Sequence, residues 1–307
     1  MTKATRAAFG AQLAELAKLD KKIVVLDADL APATKTGEVL KAVPSQFFEA
    51  GIAEANMVGM GAGLAASGLK PFVSSFAMFL AGRAYEQVRN SVAYPNLNVK
   101  LCATHAGITV GEDGGSHQCL EDIALMRVLP GMMVLQPADA KEAEAMVRYL
   151  ADHEGPAYLR LCRTSSAEVF AEPFDYDPAN IPCVRHGQKV AFIASGYMVQ
   201  ECLKAAKVLE ESGIRPAVYD LSCIKPLNVA ILNSVIEKFD TVYVAEEHLK
   251  AGGIYSAVRE AVDEPAKVRS IAVNDRFGQS GGVAELMHEY GLDAQTIAEK
   301  VLNEQKA

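Results

Sequence analysis

The sequence of 307 residues lacks any apolar run approaching the ~20 residues that a membrane-spanning helix needs. It also lacks an excess of positive charge, since 30 lysines and arginines stand against 38 aspartates and glutamates and give a formal net charge of −8. Such a chain offers little attraction to nucleic-acid backbones or anionic membranes, so small molecules or proteins are the better partners. The N-terminal residues form an ordinary amphipathic pattern instead of a signal-peptide core, and we expect a cytoplasmic location.

Paired cysteines are also missing. None of the six forms a C-x-x-C pair or lies beside a histidine at the spacing of zinc ligands. We therefore interpret all six as reduced structural thiols. They are Cys102, Cys119, Cys162, Cys183, Cys202 and Cys223.

Internal repeats and low-complexity tracts are absent, and the length is about twice the ~150 residues of a typical domain, which favours two domains. Short apolar runs rich in β-branched residues alternate with helical stretches, a pattern that predicts α/β units with mostly parallel sheets. Prolines and acidic residues interrupt this pattern between Arg163 and Arg185. We predict two consecutive α/β domains, over residues 1–165 and 187–307, joined by a linker over 166–186.

Ligands of open parallel sheets bind beyond the carboxyl ends of the strands. These positions are unusually polar in the first predicted domain and less so in the second, so we expect the first domain to carry the site. The polar residues are Asp27, Asp29, Ser74, Ser75, Thr104, His105, Gln136 and Arg163.

A stretch rich in glycine and alanine begins near Glu54. No hydrophobic strand leads directly into its glycines, which disfavours a dinucleotide-binding loop. The spacing of Gly59, Ala62, Gly63 and Ala66 predicts a helix with one flat face that packs against a partner. From this stretch alone, Glu54 is equally well explained as an acid that stabilises the N-terminus of the helix.

Residues 104–118 combine two histidines, two acids and four glycines. The two histidines are twelve residues apart and have no obvious third ligand, so a metal site is disfavoured. Histidine exchanges protons near pH 7, and glycine lets the backbone approach a polyhydroxylated ligand, so the composition fits a loop that handles sugars. A plain polar surface loop is the alternative.

Several motifs together resemble the C-terminal half of transketolase over essentially the whole chain. They are G-I-A-E-x-N-M-V-G-M, S-S-F-A-M-F-x-x-G-R-A, T-H-x-x-I-x-V-G-E-D-G-x-x-H-Q, Q-P-A-D and R-L-C-R. The family's other half holds the diphosphate and the metal of thiamine diphosphate through a G-D-G…N motif, which does not occur in this sequence. The resemblance implies the smaller subunit of a split transketolase, with a pyrimidine-binding domain followed by a C-terminal domain.

The resemblance implies a cofactor, thiamine diphosphate, and residues that contact it. Glu54 matches the glutamate that hydrogen-bonds N1′ of the aminopyrimidine and favours the tautomer that removes the C2 proton. Phe76 and Phe79 match aromatic positions beside the pyrimidine, although two core phenylalanines one turn apart would give the same pattern. The accompanying Mg²⁺ or Ca²⁺ is expected on ligands of the partner subunit, with no metal ligand from this chain.

The resemblance also implies residues for the sugar. Asp113 and His117 match groups near the carbon that is cleaved, and His117 is expected to be catalytic through proton transfer to the sugar oxygens. Three basic residues match positions that bind the terminal phosphate of the substrate, where guanidinium groups suit the geometry of the anion. They are Arg6, His105 and Arg163.

Two positions depart from the family pattern. Ala33 stands where family members commonly present a phosphate-binding serine, and Gly82 stands where a larger side chain often borders the pyrimidine. The first departure leaves the terminal group of the substrate open between a phosphate, a sulfonate and an uncharged end. Thr34 is a candidate for the missing hydroxyl.

The activity implied is transfer of a two-carbon ketol unit from a ketose phosphate to an aldose phosphate, as in the pentose phosphate pathway. The chain is expected to act only with its N-terminal partner subunit, in an α2β2 heterotetramer. Three alternatives stay open: the β-subunit of the first component of a 2-oxo-acid dehydrogenase, a 1-deoxyxylulose-phosphate synthase-like enzyme, and a non-catalytic assembly subunit.

Overall fold

Two large sheets form the framework of the computed structural model, which describes residues 2–306. One sheet has seven strands and the other has five, and helices cover both. Each sheet is parallel apart from one antiparallel edge strand. This arrangement confirms the predicted α/β fold class. No helix in the described part of the chain is long and apolar enough to cross a membrane.

The strands of residues 2–306 are short, and the central ones are almost fully buried. They are β1 Lys3–Ala4, β2 Ile23–Asp27, β3 Phe47–Glu49, β4 Lys70–Phe76, β5 Lys100–Thr104, β6 Met133–Leu135, β7 Ala157–Arg160, β8 Ser165–Ser166, β9 Cys183–Arg185, β10 Val190–Ala194, β11 Ala217–Asp220, β12 Cys223–Lys225, β13 Thr241–Leu249 and β14 Val268–Val273. Continuous apolar runs, such as that of β2, suit strands that are covered by helices on both faces.

The α-helices alternate with the strands. They are α1 Thr5–Leu19, α2 Ala31–Thr34, α3 Gly37–Ala42, α4 Glu54–Ala66, α5 Tyr85–Gln87, α6 Asp122–Arg127, α7 Ala140–Asp152, α8 Tyr197–Glu210, α9 Val229–Ile236, α10 Ile254–Ala261, α11 Val283–Glu289 and α12 Ala294–Lys306. Two π-helical turns, Met78–Arg83 and Val88–Ala93, flank α5, and a 3-10 turn covers Ile108–Asp113.

The strand order is β12-β6-β7-β5-β4-β2-β3 in the seven-stranded sheet and β14-β13-β10-β11-β9 in the five-stranded sheet. The first sheet therefore contains one strand from the second half of the sequence, because β12 pairs antiparallel with β6. β12 has only three residues, so it carries no periodicity that a sequence pattern could reveal. This crossing ties the second half of the chain to the edge of the first sheet.

A buried ion pair joins the two halves more centrally. Arg160, the last residue of β7, donates from Nε to Asp122 Oδ2 at 2.8 Å, and both side chains are almost completely buried. Its Nη2 donates to the carbonyl oxygens of Cys119 and Glu247, each at 3.2 Å. The hydroxyl of Tyr158 donates to the same Asp122 oxygen at 2.8 Å. One guanidinium thus connects β7, the start of α6 and β13.

We expect Asp122→Ala to lower the free energy of unfolding by about 3–5 kcal/mol, because it leaves the buried Arg160 charge without its counter-ion. Urea denaturation of the isolated chain measures this loss. Glu38→Ala is the matched control, since it removes an exposed ion pair with Lys41 at 3.0 Å and should cost less than about 1 kcal/mol. Equal effects of the two variants would contradict the central role of the buried pair.

Candidate active site

The ends of β4 and β5 bring most of the predicted site residues together. Phe76 is the last residue of β4, and its ring centroid lies 5.8 Å from that of Phe79 in a stacked arrangement. His105 directly follows β5, and its ring lies 3.8 Å from Phe76. The ring of His117 meets the edges of Phe76 at 6.1 Å and Phe79 at 5.5 Å. The two phenylalanines thus form a wall that both histidines contact.

Glu54 is the first residue of α4, and its side chain is 1% exposed. Its Oε2 accepts a hydrogen bond from Arg83 Nη1 at 2.8 Å, while no donor of residues 2–306 reaches its Oε1. The Arg83 guanidinium lies 4.5 Å from the ring centroid of Phe79, a cation–π contact. Glu54 is therefore connected to the aromatic wall through Arg83, and one carboxylate oxygen stays available for a ligand.

Arg83 is a residue of the site to which the sequence analysis gave no role. It lies in the quoted S-S-F-A-M-F-x-x-G-R-A motif, but nothing in the local pattern distinguishes it from a solvated surface arginine. Half of its side chain is exposed. Its pairing with Glu54 joins residues 29 positions apart and depends on the π-helical turn Met78–Arg83. Only the fold brings the two together.

Arg6 and His105 form a second, basic end of the site. Arg6 Nη1 lies 3.3 Å from His105 Nε2, and Thr104 Oγ1 lies 2.9 Å from His105 Nδ1. Arginine can only donate hydrogen bonds, so Nε2 accepts from Arg6 and Nδ1 carries the proton that is donated to Thr104. Burial, followed by the charges of Arg6 and Arg163, lowers the pKa of His105 to about 3. His105 is neutral at physiological pH.

Arg163 completes this basic end. Its charge acts on both Arg6 and His105, and together with burial it lowers the pKa of Arg6. Its own Nη1 donates to the carbonyl of Val110 and lies 3.3 Å from the carboxylate of exposed Glu112. The Nε of Arg6 is buried and has no acceptor in the described part of the chain. Two cationic groups with spare donor capacity and a neutral imidazole are suited to binding an anion.

With alanine at position 33, the basic end receives no side-chain hydroxyl from residue 33 or from its neighbour Thr34. The carbonyl of Ala33 accepts a hydrogen bond from Arg6, so the backbone here already faces the basic end. The neighbouring Thr34 hydroxyl is buried and donates to Asp27 Oδ2 at 2.7 Å. Thr34 therefore does not supply the hydroxyl that Ala33 lacks.

Two predictions find less support in the geometry. Asp113 ends the Ile108–Asp113 turn with an exposed side chain, and within residues 2–306 no hydrogen bond or ion pair joins that side chain to the other predicted residues. The small-residue face of α4 is only partly covered within residues 2–306, where Ala62 is 6% exposed and packs in the core. Gly59, Gly63 and Ala66 are exposed, and Cβ atoms built at the two glycines would meet nothing within 4 Å.

Comparisons with known proteins agree with this geometry. A family model of the transketolase pyrimidine binding domain matches residues 1–167, and a model of the transketolase C-terminal domain matches residues 179–297. A solved structure described as "Split gene transketolase, inactive beta4 tetramer" is 44% identical, with a TM-score of 0.89 over 98% of this chain and 97% of that chain.

Curated relatives cover the same extent. A protein of Methanocaldococcus jannaschii named "Putative transketolase C-terminal section" is 42% identical over 99% of this chain and 97% of its own length. The 6-deoxy-6-sulfo-D-fructose transketolase subunit of a Clostridium species is 38% identical over 93% of this chain and 89% of its own. The 1-deoxy-D-xylulose-5-phosphate synthase of Caldanaerobacter subterraneus is 35% identical over 97% of this chain, but this chain spans only 48% of that enzyme. The chain belongs to the transketolase family and corresponds to the C-terminal half of a split transketolase.

Proposed function

We propose that the chain, together with an N-terminal subunit, transfers a two-carbon ketol unit from a ketose to an aldose with thiamine diphosphate as cofactor. The observation that carries this proposal is the continuous arrangement of Glu54, Arg83, Phe79, Phe76 and the two loop histidines. It runs from an available carboxylate oxygen along an aromatic wall to a basic, anion-accepting end. Such an order suits an aminopyrimidine at one end and an anionic sugar at the other.

The residues present fit the pyrimidine part of the cofactor. The available Oε1 of buried Glu54 can accept the N1′ hydrogen bond, and Phe76 and Phe79 offer an apolar surface for the ring. When bound, thiamine diphosphate supplies a carbanion at C2 of its thiazolium ring, which carries the ketol unit between sugars. In this proposal the partner subunit holds the diphosphate and its Mg²⁺ or Ca²⁺.

The chain's own residues have separate tasks in the proposed reaction. Glu54 holds or releases a proton at its free oxygen, and Arg83 fixes the orientation of the carboxyl group through the other oxygen. His117, half-buried against the phenylalanine rings, moves protons to and from the sugar oxygens. Asp113 contacts the sugar hydroxyls in this proposal. The exposed side chain of Asp113 is free to turn toward a bound ligand.

The terminal group of the substrate is proposed to be an anion held by Arg6, His105 and Arg163. The Thr34 hydroxyl already donates to Asp27, so it does not replace a side chain at position 33. With alanine there, the anion receives one hydrogen bond fewer than a serine would provide. This leaves a phosphate or a less highly charged sulfonate as the proposed end group. The relative named for a sulfofructose shows that such an end group occurs among similar proteins.

The assembly is proposed to be an α2β2 heterotetramer. The flat, exposed face of α4, with Ile52 74% exposed beside it, supports docking of another chain next to Glu54. The similar split-gene structure is described as an inactive tetramer of β chains, which supports a need for the other subunit.

We further propose domains over residues 1–165 and 187–307 with a linker over 166–186. The proposed enzyme acts in the pentose phosphate pathway and is located in the cytoplasm. Free thiols like the six of this chain are usual in that compartment.

The decisive experiment combines this chain with an N-terminal transketolase subunit, thiamine diphosphate and Mg²⁺. We expect a shortened aldose and a lengthened ketose to form only when both chains are present. Phosphorylated and sulfonated ketoses are compared as donors. Carbon dioxide release from pyruvate, without ketol transfer, would instead identify a synthase or a 2-oxo-acid dehydrogenase component, and no turnover with any donor would favour an assembly subunit.

Glu54→Gln should slow exchange of the cofactor's C2 proton by about 100-fold or more, because the amide cannot share the N1′ proton as a carboxyl group does. Deuterium exchange followed by NMR in the assembled enzyme measures the rate. Glu86→Gln changes an exposed acid outside the site and is the control. Wild-type exchange in Glu54→Gln would leave Glu54 as a structural acid at the start of α4.

The histidine at the basic end should respond to anions. In NMR titrations of the isolated chain, we expect the His105 ring to stay neutral down to about pH 4, since its pKa is about 3. Inorganic phosphate should raise this pKa, because a bound anion stabilises the imidazolium. Arg6→Gln should also raise it by removing a neighbouring positive charge, while weakening the response to phosphate. A wild-type midpoint near the ordinary ~6.5 would contradict the described environment.

A further inference from the structure

Residues from both halves of the chain hold the loop that carries His117. Arg163 and Thr164 of the first half donate to the carbonyls of Val110 and Thr109. Glu247, Gln279 and Ser280 of the second half contact the loop at other points. We call residues 105–118 the active-site loop and residues 277–280 the clamp segment. We propose that Glu247 and the clamp segment are positioning elements that fix His117 against the phenylalanine wall, so that the C-terminal domain sets the geometry of proton transfer. The inference rests on the proposed function for its catalytic consequence, but its structural part stands on this chain alone.

Glu247 holds the beginning of the loop. Its side chain is 1% exposed, and Oε2 accepts a hydrogen bond from the backbone N–H of Thr109 at 3.1 Å. The Cys162 thiol, at 3.7 Å, donates to the other oxygen. Gly107 passes so close that a Cβ there would overlap the Glu247 carboxyl group, and its φ of +82° also favours glycine. The loop is therefore shaped to fit the carboxylate of β13.

The clamp segment holds the end of the loop. Gln118, the neighbour of His117, donates from Nε2 to the Gln279 carbonyl at 3.0 Å and to the Gly111 carbonyl at 3.2 Å. Ser280 Oγ donates to the Glu112 carbonyl at 2.6 Å. A Cβ at Gly278 would overlap the Gln118 amide. The Gln118 side chain therefore lies between the backbone of Gly111 and that of the clamp segment.

The loop needs such external support because its own structure is irregular. Three of its glycines, Gly107, Gly111 and Gly114, have positive φ values, and glycine loses more conformational freedom on ordering than other residues. Among residues 2–306, the His117 ring has a single hydrogen-bond partner, the neighbouring Ser116 hydroxyl, which lies 2.9 Å from Nδ1 and moves with the loop. The position of His117 therefore depends on what anchors residues 107–112 and 118.

Gly278→Ala and Ser280→Ala test the clamp without altering a residue of the site. In the isolated full-length chain, amide hydrogen exchange of residues 105–118 should accelerate about fivefold to tenfold in Ser280→Ala, the effect of losing one hydrogen bond. The acceleration should be larger in Gly278→Ala. The NMR signal of the His117 ring should shift in both variants and return toward its wild-type position in Ser280→Thr, which restores the hydroxyl.

Glu260→Ala is the matched control, because it removes another contact between the halves, the 2.5 Å pair with Arg127, away from the loop. It should leave both signals unchanged. In the assembled enzyme, the clamp variants should lower kcat severalfold while cofactor affinity stays the same. Unchanged loop exchange and an unchanged His117 signal in both clamp variants would overturn the inference. If the clamp variants change the loop but the wild-type assembly has no activity, the proposed function and the catalytic role of the clamp are overturned. The anchoring of the loop by the clamp segment would still stand.

Discussion

A buried guanidinium must have its charge neutralised and its donors satisfied, and at Arg160 the partners come from two distant parts of the chain, residues 119–122 and β13. Asp122 supplies the counter-charge, while the carbonyls of Cys119 and Glu247 accept the remaining hydrogen bonds. Cys119 directly follows the active-site loop, and Glu247 reaches into that loop with its side chain. The guanidinium that joins the two halves therefore also holds the residue that follows the loop and the residue whose side chain accepts from Thr109.

The second α/β unit has few polar residues at the ends of its strands. The contacts around Arg160 nevertheless connect this unit to the candidate site in the first unit. Leu249 donates from its backbone to Leu120 at 2.9 Å, and His248 Nε2 accepts from the Ala124 N–H at 3.3 Å. β13 thus runs alongside the polypeptide that leaves the loop, and its residues act through the backbone of the first unit. In the proposed arrangement, the second unit acts on the site by restricting the motion of the active-site loop.

The sequence was sufficient for the α/β class and for most residues that converge on the site. Strands such as β2 are continuous apolar runs, and Glu54 begins a helix, Phe76 ends a strand and His105 follows a strand. The roles of these three residues were implied by the family resemblance. Arg83, β12 and the contact of Gln118 with Gln279 could not be predicted in the same way. Each depends on a long-range approach of short or irregular segments, for which neither periodicity nor propensity gives a signal.

The basic end of the site shows how the missing hydroxyl at Ala33 and the neutral His105 act together. Burial and the charges of Arg6 and Arg163 disfavour a proton on His105, so a neutral imidazole that can gain a proton faces an incoming anion. A doubly charged phosphate favours that proton more strongly than a singly charged sulfonate, because the stabilisation of the imidazolium grows with the charge of its neighbour. Ala33 offers a carbonyl to Arg6 and no hydroxyl to the anion, so the charges of Arg6 and Arg163, and not a side-chain hydroxyl at position 33, face the proposed end group.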